Sequence, residues 1–254
     1  MGITASGPGR CALTLESRIC YGKNLMPGKA EDDRDVIFLP SGQSRNHPGC
    51  AFMSATFLQQ LARARPDPGG GAAAAYSAQV AMALLVKVIR LEAGRPREDN
   101  RAKKILLEKL AAARRLSRSL AHLRQADVEA YRAMAQALAA GKKGNTWDKR
   151  VEEAVTCPVQ IMGQILSALE LTADAGATCR PHLLSDLLVV AELLGGALQG
   201  AHHIAKANLP LFNSSTLREQ WAGRLTRSSH EGLEATLRLR SSLLGRVHAH
   251  QNHP

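Results

Sequence analysis

Two aspartates occupy positions on helical stripes that are otherwise largely apolar. At about 100° per residue, Asp127 shares a helix face with Leu116, Leu120, Leu123, Tyr131, Met134 and Leu138. Asp186 aligns in the same way with Val190, Leu193, Ala197, Gly200, Ile204 and Asn208. A carboxylate on a core-facing stripe is costly unless it is paired or hydrogen-bonded, and burial raises its pKa. We therefore interpret Asp127 and Asp186 as candidate catalytic residues, with capping of a helix start as the alternative for Asp186.

A run of three glycines, Gly69, Gly70 and Gly71, follows two prolines and leads into the alanine-rich start of a helix. No lysine completes a phosphate-binding loop, and the GxGxxG spacing of dinucleotide sites is missing. Two compatible interpretations remain. Glycine permits close packing where a buried helix begins, and the N–H groups of a helix start can also receive an anion or a carbonyl oxygen.

The sequence indicates neither a metal site nor a bound cofactor. His202 and His203 are adjacent and lie about 100° apart on a helix, so they cannot chelate one ion together. The five cysteines, Cys11, Cys20, Cys50, Cys157 and Cys179, form no CxxC pair. That pattern favours unpaired thiols in a reducing compartment, and we expect a cytoplasmic protein.

The net charge of +11 is compatible with several anionic partners. Basic residues concentrate between positions 101 and 124 without interleaved aromatic residues, which argues against a nucleic-acid stacking surface. A basic nucleic-acid-binding bundle is therefore only the third hypothesis for function. No run of 18 uncharged apolar residues occurs, so we expect no membrane partner.

The elements that position these residues are all predicted to be helices. Residues 1–53 show no sustained periodicity and are predicted to be a poorly ordered N-terminal extension, whereas 54–254 form a helical domain. Six helices are expected at about 54–64, 72–94, 100–140, 148–176, 182–208 and 214–246. The fold class is all-α: a helical bundle around a buried central helix, 72–94.

Five segments occur in an order that resembles the cyclodeaminase/cyclohydrolase family. They are "PDPGGGAAAA", "ADVEAY", "AVTCPVQI", "SDLLVVAELLGGALQGA" and "NL". The family includes the cyclodeaminase domain of formiminotransferase-cyclodeaminase and methenyltetrahydrofolate cyclohydrolases, and the likeness covers about residues 55–245. The resemblance implies an all-helical homodimer that opens or closes a ring at a one-carbon unit on tetrahydrofolate.

The resemblance also implies roles for particular residues. Asp127 and Asp186 stand at acidic positions with catalytic roles, and Gly69–Gly71 form the loop that binds the folate substrate. Lys142 and Asn208 stand at further substrate-binding positions. The substrate is methenyltetrahydrofolate, hydrolysed to formyltetrahydrofolate, or formiminotetrahydrofolate, cyclised with release of ammonia. No metal or additional cofactor is implied.

Several polar positions of the family pattern are replaced in this chain. A serine after the glycines is Ala72, an acidic residue two positions before Asp127 is Gln125, and a threonine at the end of the second helix is Glu92. Two asparagine positions hold instead Arg180 and Ile204. The alternative hypothesis is therefore a divergent, non-catalytic member that binds folate or a protein partner.

Overall fold

The computed structural model describes residues 51–95 and 100–251, with side chains from residue 56 onward. The regular elements there are all helical, and two 3₁₀ turns, Pro181–Leu183 and Leu209–Leu211, flank one helix. The α-helices are α1 (Ala51–Leu61), α2 (Gly70–Ala93), α3 (Asn100–Ala139), α4 (Gly144–Gly176), α5 (Leu184–Asn208) and α6 (Ser215–Gln251). The predicted all-α class is confirmed, with helix ends that differ by a few residues from those expected.

The chain divides into two compact units, 1–66 and 67–254. The first contains α1 and the second contains α2 to α6. The domain boundary expected near residue 53 stays a prediction. The N-terminal extension expected over residues 1–53 lies almost entirely outside the described residues.

Helices α2, α3, α4 and α5 pack as a four-helix ring, and α6 lies against α4 and α5. Short connections make successive helices antiparallel. Helices α2 and α5, which close the ring, are also antiparallel, because Gly70 lies opposite Ile204 and Gly200 lies opposite Ala74. The fully buried core includes Met82, Leu85, Leu120, Ile161, Ile165 and Leu194. One face of α2 stays exposed, where Val80 and Leu91 are each 45% exposed, so the predicted buried central helix is not shown.

The ends of α3 and α6 follow local rules of helix termination. Gly141 has a φ of 64°, and the N–H of Lys142 bonds to the carbonyl oxygen of Ala137 at 2.9 Å, which closes α3 with a Schellman turn. At the start of α6, the N–H of Leu217 donates to the hydroxyl oxygen of Ser214 at 3.3 Å, as expected for a serine N-cap.

Three segments are long and apolar enough to cross a membrane by length and composition alone: Gly70–Ala93, Gly144–Gly176 and Pro181–Leu211. Between 44% and 56% of their most apolar windows is buried inside the chain. The expectations of no membrane partner and of a cytoplasmic location stay predictions.

Candidate functional site

The carboxylate of Asp127 lies directly against the first turn of α2. A Cβ atom on Gly71 would stand 2.7 Å or less from both carboxylate oxygens, so only a residue without a side chain fits there. The carboxylate accepts a hydrogen bond from the backbone N–H of Ala72. Since the N-cap residue, Gly69, has no side chain to cap the helix, a carboxylate from α3 takes the place of a local cap.

Burial raises the pKa of Asp127 from 3.8 to about 6, against the opposing effect of the hydrogen bond from Ala72. A carboxylate with such a pKa is mainly ionised at neutral pH and remains basic enough to accept a proton. The sequence prediction of a carboxylate with altered proton affinity on the core stripe thus matches the environment of Asp127.

Further backbone donors stand beside this carboxylate at the start of α2. The N–H of Ala73 bonds to the carbonyl oxygen of Gly69 at 3.0 Å, which is the first bond of the helix. Helical geometry leaves the N–H groups of Gly70 and Gly71 without acceptors inside the helix. These N–H groups carry the positive end of the helix dipole and can receive an anion or a carbonyl oxygen.

Cys157 on α4 approaches Asp127 from the neighbouring helix. Its thiol donates to the carbonyl oxygen of Leu123 at 3.3 Å, one turn before Asp127 on α3. Burial and the nearby charge of Asp127 raise the pKa of the Cys157 thiol to about 12. The sulfur is therefore protonated at neutral pH and is not a nucleophile.

Asn208 compensates for a proline inside α4. Pro158 has no N–H to donate to the carbonyl oxygen of Ala154, four residues earlier. The side-chain amide of Asn208 donates to that carbonyl oxygen at 3.0 Å. The same stretch of α5 contributes Ile204, which lies against Gly70. Asn208 therefore joins the end of α5 to α4 close to the start of α2.

Tyr131 and Asp67 stand beyond the first turn of α2. Tyr131 follows Asp127 by four residues on α3, so the two share a helix face. The Nε of Arg132 donates to Oδ2 of Asp67 at 2.5 Å, which fixes Asp67 beside the same part of α3. Burial and the charge of Asp67 both raise the pKa of Tyr131.

Arg150 lies at the same end of the bundle, on α4. It precedes Ala154 by four residues and Cys157 by seven, so it belongs to the α4 stripe that contacts α5 and α3. Its guanidinium is paired with Glu153 at 2.7 Å and is 42% exposed. The guanidinium of Arg150 is therefore engaged by a carboxylate of its own helix.

Asp186, the second predicted catalytic residue, is not brought to Asp127 within the chain. Its Oδ2 is 2.9 Å from Nζ of Lys87, and its side chain is 31% exposed, so the carboxylate is ion-paired. Lys87 follows Gly71 by sixteen residues on α2, which is about 24 Å along a helix. The residues that Asp186 shares its stripe with, Val190 and Ala197, are buried as expected.

Lys142 is also remote from Asp127. It lies in the turn after α3, fifteen residues beyond Asp127, which corresponds to about 20 Å. Its side chain is exposed. Of the predicted site residues, the structure brings together the glycine turn and Asp127, with Asn208 close by, and it leaves Asp186 and Lys142 elsewhere.

Two of the replaced family positions contact each other. Nε of Arg180 donates to Oε1 of Glu92 at 2.8 Å, and the backbone N–H of Arg180 reaches the same oxygen at 3.2 Å. Glu92 is 3% exposed. Burial alone would raise its pKa, but the hydrogen bonds and charge of Arg180, together with the charge of Arg95, hold it below its usual value. The two replacements form one ion pair.

Sequence reasoning missed Tyr131 and Cys157 as neighbours of Asp127. Tyr131 carried a usable signal, because it lies one helical turn from Asp127, but it was assigned to the apolar stripe. Cys157 carried no such signal, since its thiol looks like any core residue in the sequence.

Within 51–95 and 100–251, no three His, Cys, Asp or Glu side chains are grouped so as to hold a metal ion.

Comparison with known proteins agrees with this architecture. The family described as formiminotransferase-cyclodeaminase matches residues 53–227. The chain belongs to the formiminotransferase-cyclodeaminase family. The fold is similar to that of the formiminotetrahydrofolate cyclodeaminase from Thermotoga maritima, with a TM-score of 0.68 at 20% identity, over 75% of this chain and 95% of that one. No curated protein sequence matches the chain.

Membership of this family confirms the resemblance drawn from the five ordered segments. It indicates a protein of folate one-carbon chemistry of the cyclodeaminase or cyclohydrolase type. The glycine turn and Asp127, which belong to two of those segments, are the pair that the structure brings into contact.

Proposed function

We propose that this protein opens or closes a ring at the one-carbon unit of a tetrahydrofolate derivative, with Asp127 as the group that accepts a proton. The observation that supports this role is the contact between the Asp127 carboxylate and the start of α2. There a basic carboxylate and backbone N–H donors face the same small volume. The basic net charge of +11 favours an anionic folate.

The chemistry needs no group beyond those the chain supplies. In methenyltetrahydrofolate the one-carbon unit is already cationic, so water can add to it while Asp127 accepts a proton from that water. Asp127 then returns that proton to a ring nitrogen as the bond from the one-carbon unit to that nitrogen breaks, the added hydroxyl releases its proton to solvent, and formyltetrahydrofolate forms. In formiminotetrahydrofolate with its formimino group protonated, the anilino nitrogen attacks the formimino carbon and Asp127 takes the proton from that nitrogen. Asp127 then gives the proton to the former formimino nitrogen, which leaves as ammonia as the cationic methenyl ring forms.

The N–H groups of Gly70 and Gly71 are proposed to hold a pterin carbonyl or a carboxylate of the substrate. Asn208 and Gly69 contribute by shaping this turn. Roles for Asp186 and Lys142 in substrate binding or catalysis stay predictions, because neither lies near Asp127 in a single chain.

The proposal is tested by incubating the purified protein with each substrate. The assay follows the near-ultraviolet absorbance of methenyltetrahydrofolate, with buffer alone as the reference. This absorbance falls when methenyltetrahydrofolate is hydrolysed and rises when formiminotetrahydrofolate is cyclised. Asp127→Asn is expected to lower kcat by about 100-fold or more. The matched control is Glu129→Gln, which removes an exposed carboxylate on the same helix and should leave kcat unchanged.

A rate equal to buffer with both substrates would contradict the catalytic proposal. Measurable folate binding without turnover would instead support the second hypothesis, a non-catalytic member of the family. The replaced positions Ala72 and Gln125 are the observation that favours that alternative. Ala72, whose N–H bonds to Asp127, lacks the hydroxyl of the family pattern, and Gln125 lacks the carboxylate expected two positions before Asp127.

We also propose that two copies of the chain form a homodimer through an outer face of α2 and α5. The face includes three exposed apolar residues, Val80, Leu91 and Val189, each at least 45% exposed. Val80→Glu combined with Val189→Glu should convert the dimer to a monomer in light scattering. Leu237→Glu, at a residue of α6 that is 49% exposed, is the control and should leave the dimer intact. A wild-type monomer, or a dimer unaffected by the double change, would contradict this interface.

A further inference from the structure

Tyr131 is a polar side chain at the candidate site that the proposed proton transfer does not use. Asp127 lies level with Gly71, and Arg132 lies level with Asp67, because α2 and α3 run antiparallel. Tyr131 therefore stands past the first residue of α2, on the same α3 face as Asp127 and about 6 Å further along the helix axis. Its side chain is half-buried, so part of it remains accessible.

The carboxylate of Asp67 lies close enough to Tyr131 for its charge to affect the pKa of the phenol. Its side chain is 19% exposed, and its Oδ2 accepts from Nε of Arg132, the residue after Tyr131. Burial and the charge of Asp67 raise the pKa of Tyr131. At neutral pH the phenol is protonated and can donate a hydrogen bond, but it is a poor proton-transfer group.

We propose that Tyr131 is a further substrate-binding residue of this site, whose hydroxyl donates a hydrogen bond to an acceptor atom of the folate ring system. The inference rests on the proposed function. Asp127 remains the group that accepts the proton, and Tyr131 orients the ring against it. No covalent step involves Tyr131.

The first test compares two tyrosine variants in turnover of methenyltetrahydrofolate. Tyr131→Phe keeps the ring and removes the donor, and kcat/KM is expected to fall about tenfold or more. Tyr76→Phe is the matched control: Tyr76 is half-buried on α2, where the guanidinium of Arg124 lies 5.5 Å from its ring centre. That variant should stay within about twofold of wild type. Equal kcat/KM for Tyr131→Phe and wild type overturns the inference.

An absorbance titration of the Tyr131 phenol tests the placement of Asp67 without substrate. The charge that acts on the phenol is that of Asp67, which is paired with Arg132, and Asp127 lies one helical turn away on the same face of α3. In an absorbance titration, the difference between wild type and Tyr131→Phe reports the phenol of Tyr131. Asp67→Asn should move that titration to lower pH, because a negative charge that opposes ionisation is removed. An unmoved titration overturns the placement of Asp67.

If the wild-type chain turns over neither folate, the proposed function fails by itself. Equilibrium binding of methenyltetrahydrofolate then decides the inference separately. Binding about tenfold weaker in Tyr131→Phe than in Tyr76→Phe supports it, and equal binding in the two variants overturns it.

Discussion

The carboxylate of Asp127 occupies the space that a side chain at position 71 would need. A Cβ atom on Gly71 would stand 2.7 Å or less from both carboxylate oxygens. Glycine at this position therefore does more than begin a helix, because it admits an acidic group from α3 to the N–H groups of α2. That contact explains the missing local cap, and burial of the carboxylate at this position raises the pKa of Asp127.

The first prediction follows from this contact. Gly71→Ala should lower the free energy of unfolding by about 1–3 kcal/mol, since a methyl group must displace the Asp127 carboxylate. Turnover should fall together with stability. Gly163→Ala is the control: a Cβ atom there meets nothing within 4 Å, and alanine should stabilise the helix by up to about 1 kcal/mol. Equal stability changes in the two variants would contradict the steric argument. Denaturant unfolding measures both.

The second prediction concerns the pH dependence of stability at Asp127. Its pKa in the folded chain is raised from 3.8 to about 6, so ionisation costs stability as pH rises through that range. Asp127→Asn should therefore stabilise the protein by about 1–3 kcal/mol at pH 7. The gain should vanish below about pH 4, where both the folded and unfolded carboxyls are protonated.

The measurement is a series of denaturant unfolding curves of wild type and Asp127→Asn between about pH 4 and pH 7, read as the difference between the two proteins. Asparagine can still accept the hydrogen bond from Ala72, which keeps the first turn of α2 capped. A difference independent of pH would show that the carboxylate is not desolvated in the folded chain. Loss of activity combined with gain of stability would be typical of a functional residue.

Helical periodicity was enough to predict the six helices and the unusual position of Asp127. The same stripe argument could not predict the ion pair that Asp186 makes. Lys87, the ion-pair partner of Asp186, is 99 positions away in the sequence. Spacing along one helix cannot show that a lysine on a neighbouring helix reaches the carboxylate. The difference between the two aspartates is therefore a property of tertiary packing.

The proline in α4 shows a similar limit of sequence-based prediction. Here the sequence reveals the group that needs a partner but not the partner. Pro158 inside a helix predicts that the carbonyl oxygen of Ala154 needs another donor. The sequence carries no indication of which of many donors supplies it. The structure assigns that bond to Asn208, 54 positions later. The family resemblance had suggested Asn208 only as a substrate-binding residue.

The third prediction tests the coupling of Asn208 to Pro158. Asn208→Ala should lower the free energy of unfolding by about 1–3 kcal/mol, because it leaves the carbonyl oxygen of Ala154 without its donor. In a Pro158→Ala background, the restored N–H can bond to that carbonyl oxygen, so the same change should cost less. The double-mutant cycle is read by denaturant unfolding. An equal cost in both backgrounds would assign Asn208 a role unrelated to this bond.

The fourth prediction concerns the ion pair between Glu92 and Arg180, which replaces two uncharged positions of the family pattern. Glu92→Thr alone should destabilise the protein by about 1–3 kcal/mol, a value kept below that of a fully buried pair because Arg180 is 32% exposed. The double variant Glu92→Thr, Arg180→Asn should lose less unfolding free energy than Glu92→Thr alone. In the double variant, no guanidinium remains without its carboxylate partner.

The pH dependence gives an independent check on this pair. The pKa of Glu92 is held below its usual value of 4.5, so the pair contributes stability above that pH, and the contribution is lost as pH falls through the lowered pKa. The difference in unfolding free energy between wild type and Glu92→Gln should therefore shrink on acidification because wild type loses stability, whereas at Asp127 the difference shrinks because wild type gains stability. A double variant less stable than Glu92→Thr alone would mean that Arg180 stabilises the turn before α5 without Glu92, through the bond from its guanidinium to the carbonyl oxygen of Leu91.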